Sequence, residues 1–186
     1  IFRHSQLLGS IDEVEPSILS NITTLKLRRN VSATIDGTAS GYTVQFGNAL
    51  YNPHAGHNSS SGGILESTAF KVSGDTNDYQ FDDDGNGNVR RYYLSGSTRI
   101  YKDNNAGTIT YSSGKVTINS LTLASTANTD SSIDFTVIPN SNDVISNRNQ
   151  LLDITASEIS VTGVADTVAS GETSAGVGYT TTSSYS

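Results

Sequence analysis

Short runs of alternating apolar and polar residues, joined by small turn-forming residues, limit the fold of this chain more than any other feature. The runs VRRYYL, TRIYKD, GTITY and KVTINSL lie within residues 89–121 and are separated by SGS, NNAG and SSG. A period of two places successive side chains on opposite faces of a strand, and Gly, Asn and Ser favour tight turns. The pattern therefore predicts an antiparallel β-meander in which each run is a strand.

The same period of two predicts strands on both sides of the meander. Inside it, Leu121 and Leu123 fall on the opposite parity to Val116 and Ile118, and a bulge near residues 119–120 would return them to the core. The sequence DDDGNGN at 82–88 predicts a tight acidic turn. Further strands are predicted from residue 24 onward, at 42–46, at 64–73, at 133–137 and at 159–161.

Residues 5–19 have a different spacing of apolar residues, which is typical of a helix. Ser10 and Glu13 match a capping box, and Pro16 both restricts the preceding residue and removes a hydrogen-bond donor. We therefore predict one short amino-terminal helix that ends or restarts near Pro16.

Composition agrees with a turn-rich β protein. Only 34% of the 186 residues are hydrophobic and 16% are charged, so uncharged polar residues make up the difference. We predict a mainly β (α+β) domain over residues 1–168, with antiparallel meander or sandwich-like sheets, the short helix and long polar loops. A division into 1–63 and 64–168 is an alternative. Residues 169–186 lack periodicity, which predicts a tail that is flexible alone or ordered by a partner.

Charge and hydropathy argue against several classes of partner. The formal net charge is −7, without the cationic field that attracts phosphate backbones. No apolar run approaches the roughly 18 residues that a membrane span needs, and the absence of cysteine excludes disulfides and thiolate metal sites. We expect no nucleic-acid, membrane or small-molecule partner. The chain also begins without Met, so we expect it to be a segment of a longer protein.

The candidates for metal binding are incomplete. Asp82, Asp84 and Asn86 stand at positions 1, 3 and 5 of a calcium-loop template, but Tyr93 replaces the carboxylate that should close the cage. His54 and His57 are three residues apart in a predicted loop, and because no helix is predicted there the two imidazoles are not expected to share a face. We predict a solvated acidic turn, no metal, no cofactor and no catalytic group.

Four stretches occur together in this chain: SIDEVEPSILSN at 10–21, FGNALYNPHAGH at 46–57, GGILESTAF at 62–70 and VIPNSNDVISNRNQLLDI at 137–154. They resemble the carboxy-terminal part of a baseplate wedge protein of contractile-tailed bacteriophages, the large wedge subunit related to the baseplate J-like proteins. The likeness covers residues 10–155. Its motifs are turns and strand ends, none as diagnostic as a metal-ligand pattern.

The resemblance implies a structural subunit and not an enzyme. Such subunits form homo-oligomers, bind other wedge proteins and join into a ring around the central hub of the tail baseplate. The implied location is the virion, after assembly in the host cytoplasm. The residues that we expect at interfaces are Leu7, Leu8, Ile11, Ile18 and Leu19, then Arg148, Asn149, Leu151 and Leu152, and in the tail Tyr179 and Tyr185. The alternative for the helical segment is packing on its own domain.

Two other functions compete with this reading. Nine tyrosines, polar loops and the acidic turn are compatible with a carbohydrate-binding or adhesin-type β domain, for which Tyr92 and Tyr101 are the candidate contacts. A glycan-cleaving virion enzyme would need paired carboxylates in one groove. The acidic residues are scattered along the sequence, so this third hypothesis ranks last.

Overall fold

The computed structural model describes residues 2–15, 18, 20–57, 63–145 and 156–164. The chain divides into two units, residues 1–151 and 152–186, and the predicted boundary at 168/169 lies outside the described residues. The predicted fold class is confirmed, because the described residues are mainly antiparallel β structure with one short amino-terminal helix. Among these residues, no helix is long and apolar enough to cross a membrane.

The first unit contains one α-helix and ten strands within the described residues. The second unit contains a 3-10 turn at Ala156–Glu158. The helix and strands are α1 (His4–Asp12), β1 (Leu27–Ser32), β2 (Ser40–Gln45), β3 (Glu66–Ser67), β4 (Phe70–Val72), β5 (Tyr79–Asp83), β6 (Asn88–Ser95), β7 (Thr98–Thr110), β8 (Lys115–Leu121), β9 (Leu123–Thr126) and β10 (Ser132–Val137).

Two antiparallel sheets form this unit. The larger has the order β2-β8-β7-β6-β5-β4-β9, and the smaller has the order β1-β10-β3. Only Thr122 separates β8 from β9, although these strands occupy the second and the last places in the larger sheet. Two Cα steps span at most about 7 Å. The larger sheet therefore curls until its far strand comes back beside β8.

The core lies where the two sheets face each other. Phe81 of β5 stacks on Phe70 at a centroid distance of 4.7 Å and on Phe135 of the smaller sheet at 5.9 Å. All three side chains are at most 1% exposed. Strands on both sides of residue 63 share these sheets, since β1 pairs with β10 and β2 pairs with β8, so the alternative division at 63/64 does not separate two sheets.

The predicted turn at NNAG does not exist. Residues 98–110 form one continuous strand, β7, whose first part pairs with β6 and whose second part pairs with β8. Gly107 is buried, and a Cβ there would lie 2.1 Å from the carbonyl oxygen of Thr117. The glycine therefore permits close approach of the backbones of β7 and β8. In the sequence alone, a glycine in this role looks the same as a glycine in a turn.

The predicted bulge in β8 is confirmed. Ser40 pairs with Leu121 and Tyr42 pairs with Ile118, so three residue steps on β8 face two on β2. The extra residue lies within 119–120, between those partners. Leu123 then enters the core with 2% of its surface exposed.

The helix is confirmed, but its predicted start is wrong. Arg3 is the N-cap residue and makes no side-chain capping bond, whereas Ser10 lies in the last turn and donates its hydroxyl to the carbonyl oxygen of Gln6. Glu13, predicted in a capping box with Ser10, is at the carboxyl end. The helix ends at Asp12, before Pro16, which lies outside the described residues.

Two strand predictions need correction. Residues 64–73 form two short strands, β3 and β4, in different sheets instead of one strand. The predicted strand at 159–161 is wrong, because these residues follow the 3-10 turn without regular structure and are exposed. Alternation stabilises a strand only where a neighbouring strand pairs with it, and no described strand pairs with this segment.

Candidate functional site

Of the three candidate metal ligands, Asp82 lies in β5, and Asp84 and Asn86 lie in the turn between β5 and β6. The predicted solvated acidic turn is wrong for Asp82 and Asp83, because both belong to β5 and are buried. Asp84 accepts hydrogen bonds from the backbone N–H groups of Asn86 at 2.8 Å and Asn88 at 3.0 Å, and from Asn88 Nδ2 at 2.7 Å. Burial acts to raise the pKa of Asp84, but these hydrogen bonds outweigh it and lower the pKa. Within the described ranges, no group of three or more acidic or histidine side chains is placed to hold a metal.

Asp82 belongs to a cluster of charged and aromatic side chains, which we call the Asp82 cluster: Asp82, Arg90 and Tyr92, which are buried, and Arg99 and Tyr101, which are half-buried. The aspartate is 1% exposed. Its Oδ1 accepts a hydrogen bond from Arg90 Nε at 2.8 Å, and its Oδ2 accepts from Arg99 Nη1 at 2.7 Å and Tyr101 Oη at 2.8 Å. Asp82 therefore uses both carboxylate oxygens inside the protein.

The electrostatics of the Asp82 cluster favour a structural role. Burial raises the pKa of Asp82, while hydrogen bonds from Arg90, Tyr101 and Arg99 act in the opposite direction without cancelling it. Burial and the hydrogen bond to Asp82 both raise the pKa of Tyr101. The phenol therefore holds its proton in the bond to Asp82, and the carboxylate faces two guanidinium groups.

Asp83, the next residue in β5, is 0% exposed. We call this residue and its hydrogen-bond donors the Asp83 cluster: Asp83, Ile64, Leu65, Gly85 and Tyr111. Its Oδ1 accepts hydrogen bonds from the backbone N–H groups of Ile64 at 2.7 Å and Leu65 at 2.8 Å. Its Oδ2 accepts from Tyr111 Oη at 2.6 Å and more weakly from Gly85 N at 3.3 Å. Burial and the bond to Asp83 both raise the pKa of Tyr111.

Gly63 is required where the chain reaches the Asp83 cluster. It has φ +74°, and a Cβ at this position would lie 1.9 Å from Asp83 Oδ1. The carboxylate could not move away without losing its backbone donors. Asp83 therefore fixes the start of the segment that leads into β3, a role that the sequence analysis did not assign to it.

The loop at 51–57 contains a second arrangement that sequence reasoning missed. His57 Nδ1 lies 3.2 Å from His54 Nε2, and the rings meet edge to face at a centroid distance of 4.8 Å. The expectation that these imidazoles share no face is wrong. A turn with Gly56 at φ +74° brings them together, so Gly between the two histidines was the signal that could have predicted it.

The candidate interface residues are only partly within the described structure. Leu7, Leu8 and Ile11 lie on α1, where no residue is buried, and Ile18 is half-buried after it. These positions are compatible with either an interface or partial packing on the same chain. Outside the described residues lie Leu19, Arg148, Asn149, Leu151, Leu152, Tyr179 and Tyr185.

Large apolar side chains are exposed in two segments that contain no strand. Ile22 is 98% exposed in the segment between α1 and β1, and Val161 and Val164 are each 86% exposed in the second unit. None of these three residues was among the predicted interface positions. The alternation of Ile159 and Val161 was a visible signal, but it indicated a strand.

The tyrosines proposed for sugar binding are engaged within the protein. Tyr92 is 6% exposed, and the guanidinium of Arg99 lies 4.6 Å from its ring centroid. Arg90 lies 4.4 Å from the centroid of Tyr101, whose hydroxyl binds Asp82. Stacking of a sugar requires an open aromatic face, so this geometry weighs against a carbohydrate site at these residues.

Described residues of three of the four stretches that carry the family resemblance lie close together in the fold. Comparisons with protein-family models, curated proteins and solved structures find no match. In the fold, Tyr51 N donates to the carbonyl oxygen of Ile138 at 3.0 Å, which joins the stretches 46–57 and 137–154. Gly56 N donates to Gly85 O at 3.1 Å, next to the Asp83 cluster that holds stretch 62–70. The described residues of these three stretches therefore belong to one local region of the fold.

Proposed function

We propose that this chain is a structural, protein-binding part of a baseplate wedge in a contractile-tailed phage. The resemblance of four stretches supports the family, and the exposed apolar side chains of Ile22, Val161 and Val164 support binding through protein contacts. The role requires homo-oligomers and contacts with other wedge proteins. It requires no catalytic group.

The observation that carries the proposal is the exposure in residues 156–164. A single exposed aliphatic side chain is ordinary, but Ile159, Val161 and Val164 fall within six residues that lack regular structure, and they are 58%, 86% and 86% exposed. A segment that exposes apolar side chains in this way can bind a partner by adding a strand to a sheet edge or by inserting apolar anchors into a groove. A partner that buries these side chains would remove apolar surface from water.

The two buried carboxylates also support a structural role for this chain. Asp82 and Asp83 use their carboxylate oxygens to hold arginine, tyrosine and backbone donors of this chain. Their hydrogen bonds are directed into the fold and fix its strands and loops. The two carboxylates therefore contribute to the shape that a partner would recognise.

The experiment compares Val161→Asp and Val164→Asp with Thr162→Asp, which adds the same charge between them in the same exposed segment. We expect the two valine variants to bind the other wedge proteins of the same phage at least about tenfold more weakly in co-purification and titration. Thr162→Asp should bind nearly as the unaltered chain does. Circular dichroism and melting curves should be equal for all three variants.

Two results would contradict the proposal. One is unaltered association of both valine variants. The other is an inert monomer in sedimentation velocity that captures no wedge protein. A glycan array, on which we expect no binding, tests the carbohydrate-binding alternative; binding lost in Tyr101→Ala would favour that alternative.

A further inference from the structure

The sequence His54-Ala55-Gly56-His57 forms a β-turn that brings two imidazoles together. His57 N donates to the carbonyl oxygen of His54 at 3.1 Å and closes the turn. Gly56 has φ +74°, the left-handed value that the third position of a type II turn requires. The first and fourth residues of such a turn have Cα atoms less than about 7 Å apart. Their side chains can therefore point toward the same region.

The two rings present nitrogen atoms to each other. His57 Nδ1 lies 3.2 Å from His54 Nε2, and the ring planes are inclined at 88°. His54 Nδ1 lies 3.1 Å from the carbonyl oxygen of Ala55, which can only accept a hydrogen bond. His54 therefore carries a proton on Nδ1. In the neutral ring, Nε2 then presents its lone pair toward His57.

This spacing matches two ligands of one metal ion. Imidazole nitrogens bind zinc at about 2.0–2.1 Å, and two such ligands at tetrahedral angles lie about 3.4 Å apart. We propose that His54 Nε2 and His57 Nδ1 chelate one divalent transition-metal ion of the Zn²⁺, Ni²⁺ or Cu²⁺ class. When the metal binds, the ring proton of His57 is on Nε2, so that Nδ1 presents its lone pair to the ion.

The surroundings hold the turn in this geometry. Gly56 N and Asn52 Nδ2 both donate to the carbonyl oxygen of Gly85 at 3.1 Å, which ties the loop to the acidic turn. Tyr51 packs edge to face against His57 at a centroid distance of 5.6 Å. A hydrogen bond from the second ring nitrogen to a carbonyl, as in His54, orients histidine ligands in metal sites. The chelating geometry is thus formed before the metal arrives.

Both imidazoles are exposed, so other donors can reach the ion. The described residues place no third histidine, aspartate or glutamate in a metal-holding group with them. Water or a donor from another molecule completes the coordination. Imidazole selects Cu²⁺, Ni²⁺ and Zn²⁺ over Mg²⁺ and Ca²⁺, and Cu²⁺ should bind more tightly than Ni²⁺ or Zn²⁺.

The test is calorimetric titration of the untagged 186-residue chain with CuSO₄, NiCl₂, ZnCl₂ and MgCl₂ in a non-coordinating buffer. We expect one site per chain for the first three ions and none for Mg²⁺. His54→Gln and His57→Gln should each weaken binding by more than about tenfold, since loss of a ligand costs at least as much as loss of its outer partner. The matched control is His4→Gln, which removes the remaining histidine and should leave binding unchanged.

A fourth variant tests the turn itself. Gly56→Ala keeps both imidazoles, but its positive φ is unfavourable for alanine, while the added Cβ meets only an ordinary contact at 3.6 Å. We expect weaker binding with an unchanged melting temperature of the unit. The proposal is overturned if wild type shows no saturable site, if either His→Gln variant binds as wild type does, if His4→Gln loses binding, or if Gly56→Ala binds with full affinity.

Discussion

Asp82 and Asp83 are neighbours in β5, and both are buried, yet the protein satisfies their carboxylates in different ways. Asp82 binds two guanidinium groups and a phenol, whereas Asp83 binds backbone N–H groups and a phenol. Successive residues of a strand point to opposite faces. One strand can therefore use the charge of one aspartate and the hydrogen-bonding geometry of the next.

We expect the largest loss of stability when the charge of Asp82 is removed. Asp82→Asn keeps the size of the side chain but removes the negative charge that faces Arg90 and Arg99. We expect the free energy of unfolding to fall by about 3–5 kcal/mol, the usual cost of breaking a buried pair. Urea denaturation measures the change.

An exposed pair supplies the control for that prediction. Asp78 forms an ion pair with Lys71 at 2.9 Å, with 69% of its side chain exposed. Asp78→Asn should change the free energy of unfolding by less than about 1 kcal/mol. Equal losses for Asp82→Asn and Asp78→Asn would contradict the charge-dependent role of Asp82.

We expect a smaller loss of stability when the charge of Asp83 is removed. Asp83→Asn keeps one carbonyl oxygen for the N–H groups of Ile64 and Leu65, and its amide can donate to Tyr111 after the phenol rotates. We expect the free energy of unfolding to fall by about 1–3 kcal/mol. The substitution removes only the weak hydrogen bond from Gly85 and the extra strength that the negative charge gives to the other hydrogen bonds. The measurement is again urea denaturation. A loss larger than that of Asp82→Asn would reverse the comparison.

The smallest effect concerns a third carboxylate bound to a tyrosine, that of Asp75 in the loop between β4 and β5. The Tyr79 hydroxyl and the backbone N–H of Asn77 lower the pKa of Asp75 to about 2, from 3.8. The folded protein therefore binds fewer protons than the unfolded chain at this site. The resulting stabilisation is present above pH 3.8 and is lost as the pH falls through about 2.

Asp75→Asn should remove that part of the acid dependence. Melting temperatures measured between pH 5 and pH 2 should fall less steeply in the variant than in the unaltered chain. Identical slopes would show that the bond from Tyr79 does not lower the pKa of Asp75. Asp84 has a lowered pKa as well, so the variant should keep a residual slope.

The alternation of apolar and polar side chains predicted most strands because it indicates that one face of a strand is buried. This pattern is present in the sequence of each strand by itself. The bulge near residues 119–120 followed from the same rule. NNAG was misread because a glycine that allows close backbone approach and a glycine that turns the chain have the same local sequence. Only pairing with Thr117 and Ile118 distinguishes the two roles of Gly107.

The clusters could not be predicted in the same way. The bond between Asp82 and Tyr101 joins residues 19 positions apart, and the bond between Asp83 and Tyr111 joins residues 28 positions apart. Their existence depends on register between strands, which one sequence does not specify. The contact between His54 and His57 depends on local sequence, because Gly56 at the third position of a four-residue turn indicates the turn that brings the two side chains together.

The single residue between β8 and β9 has a consequence for how the first unit loses structure. Residues 115–126 pair with β2 and β7 on one side of Thr122 and with β4 on the other. Separating β9 from β4 therefore pulls on the register of β8 through a single residue, Thr122. We therefore expect the two ends of the larger sheet to open together as one cooperative unit, so that fraying at β9 is transmitted to β8.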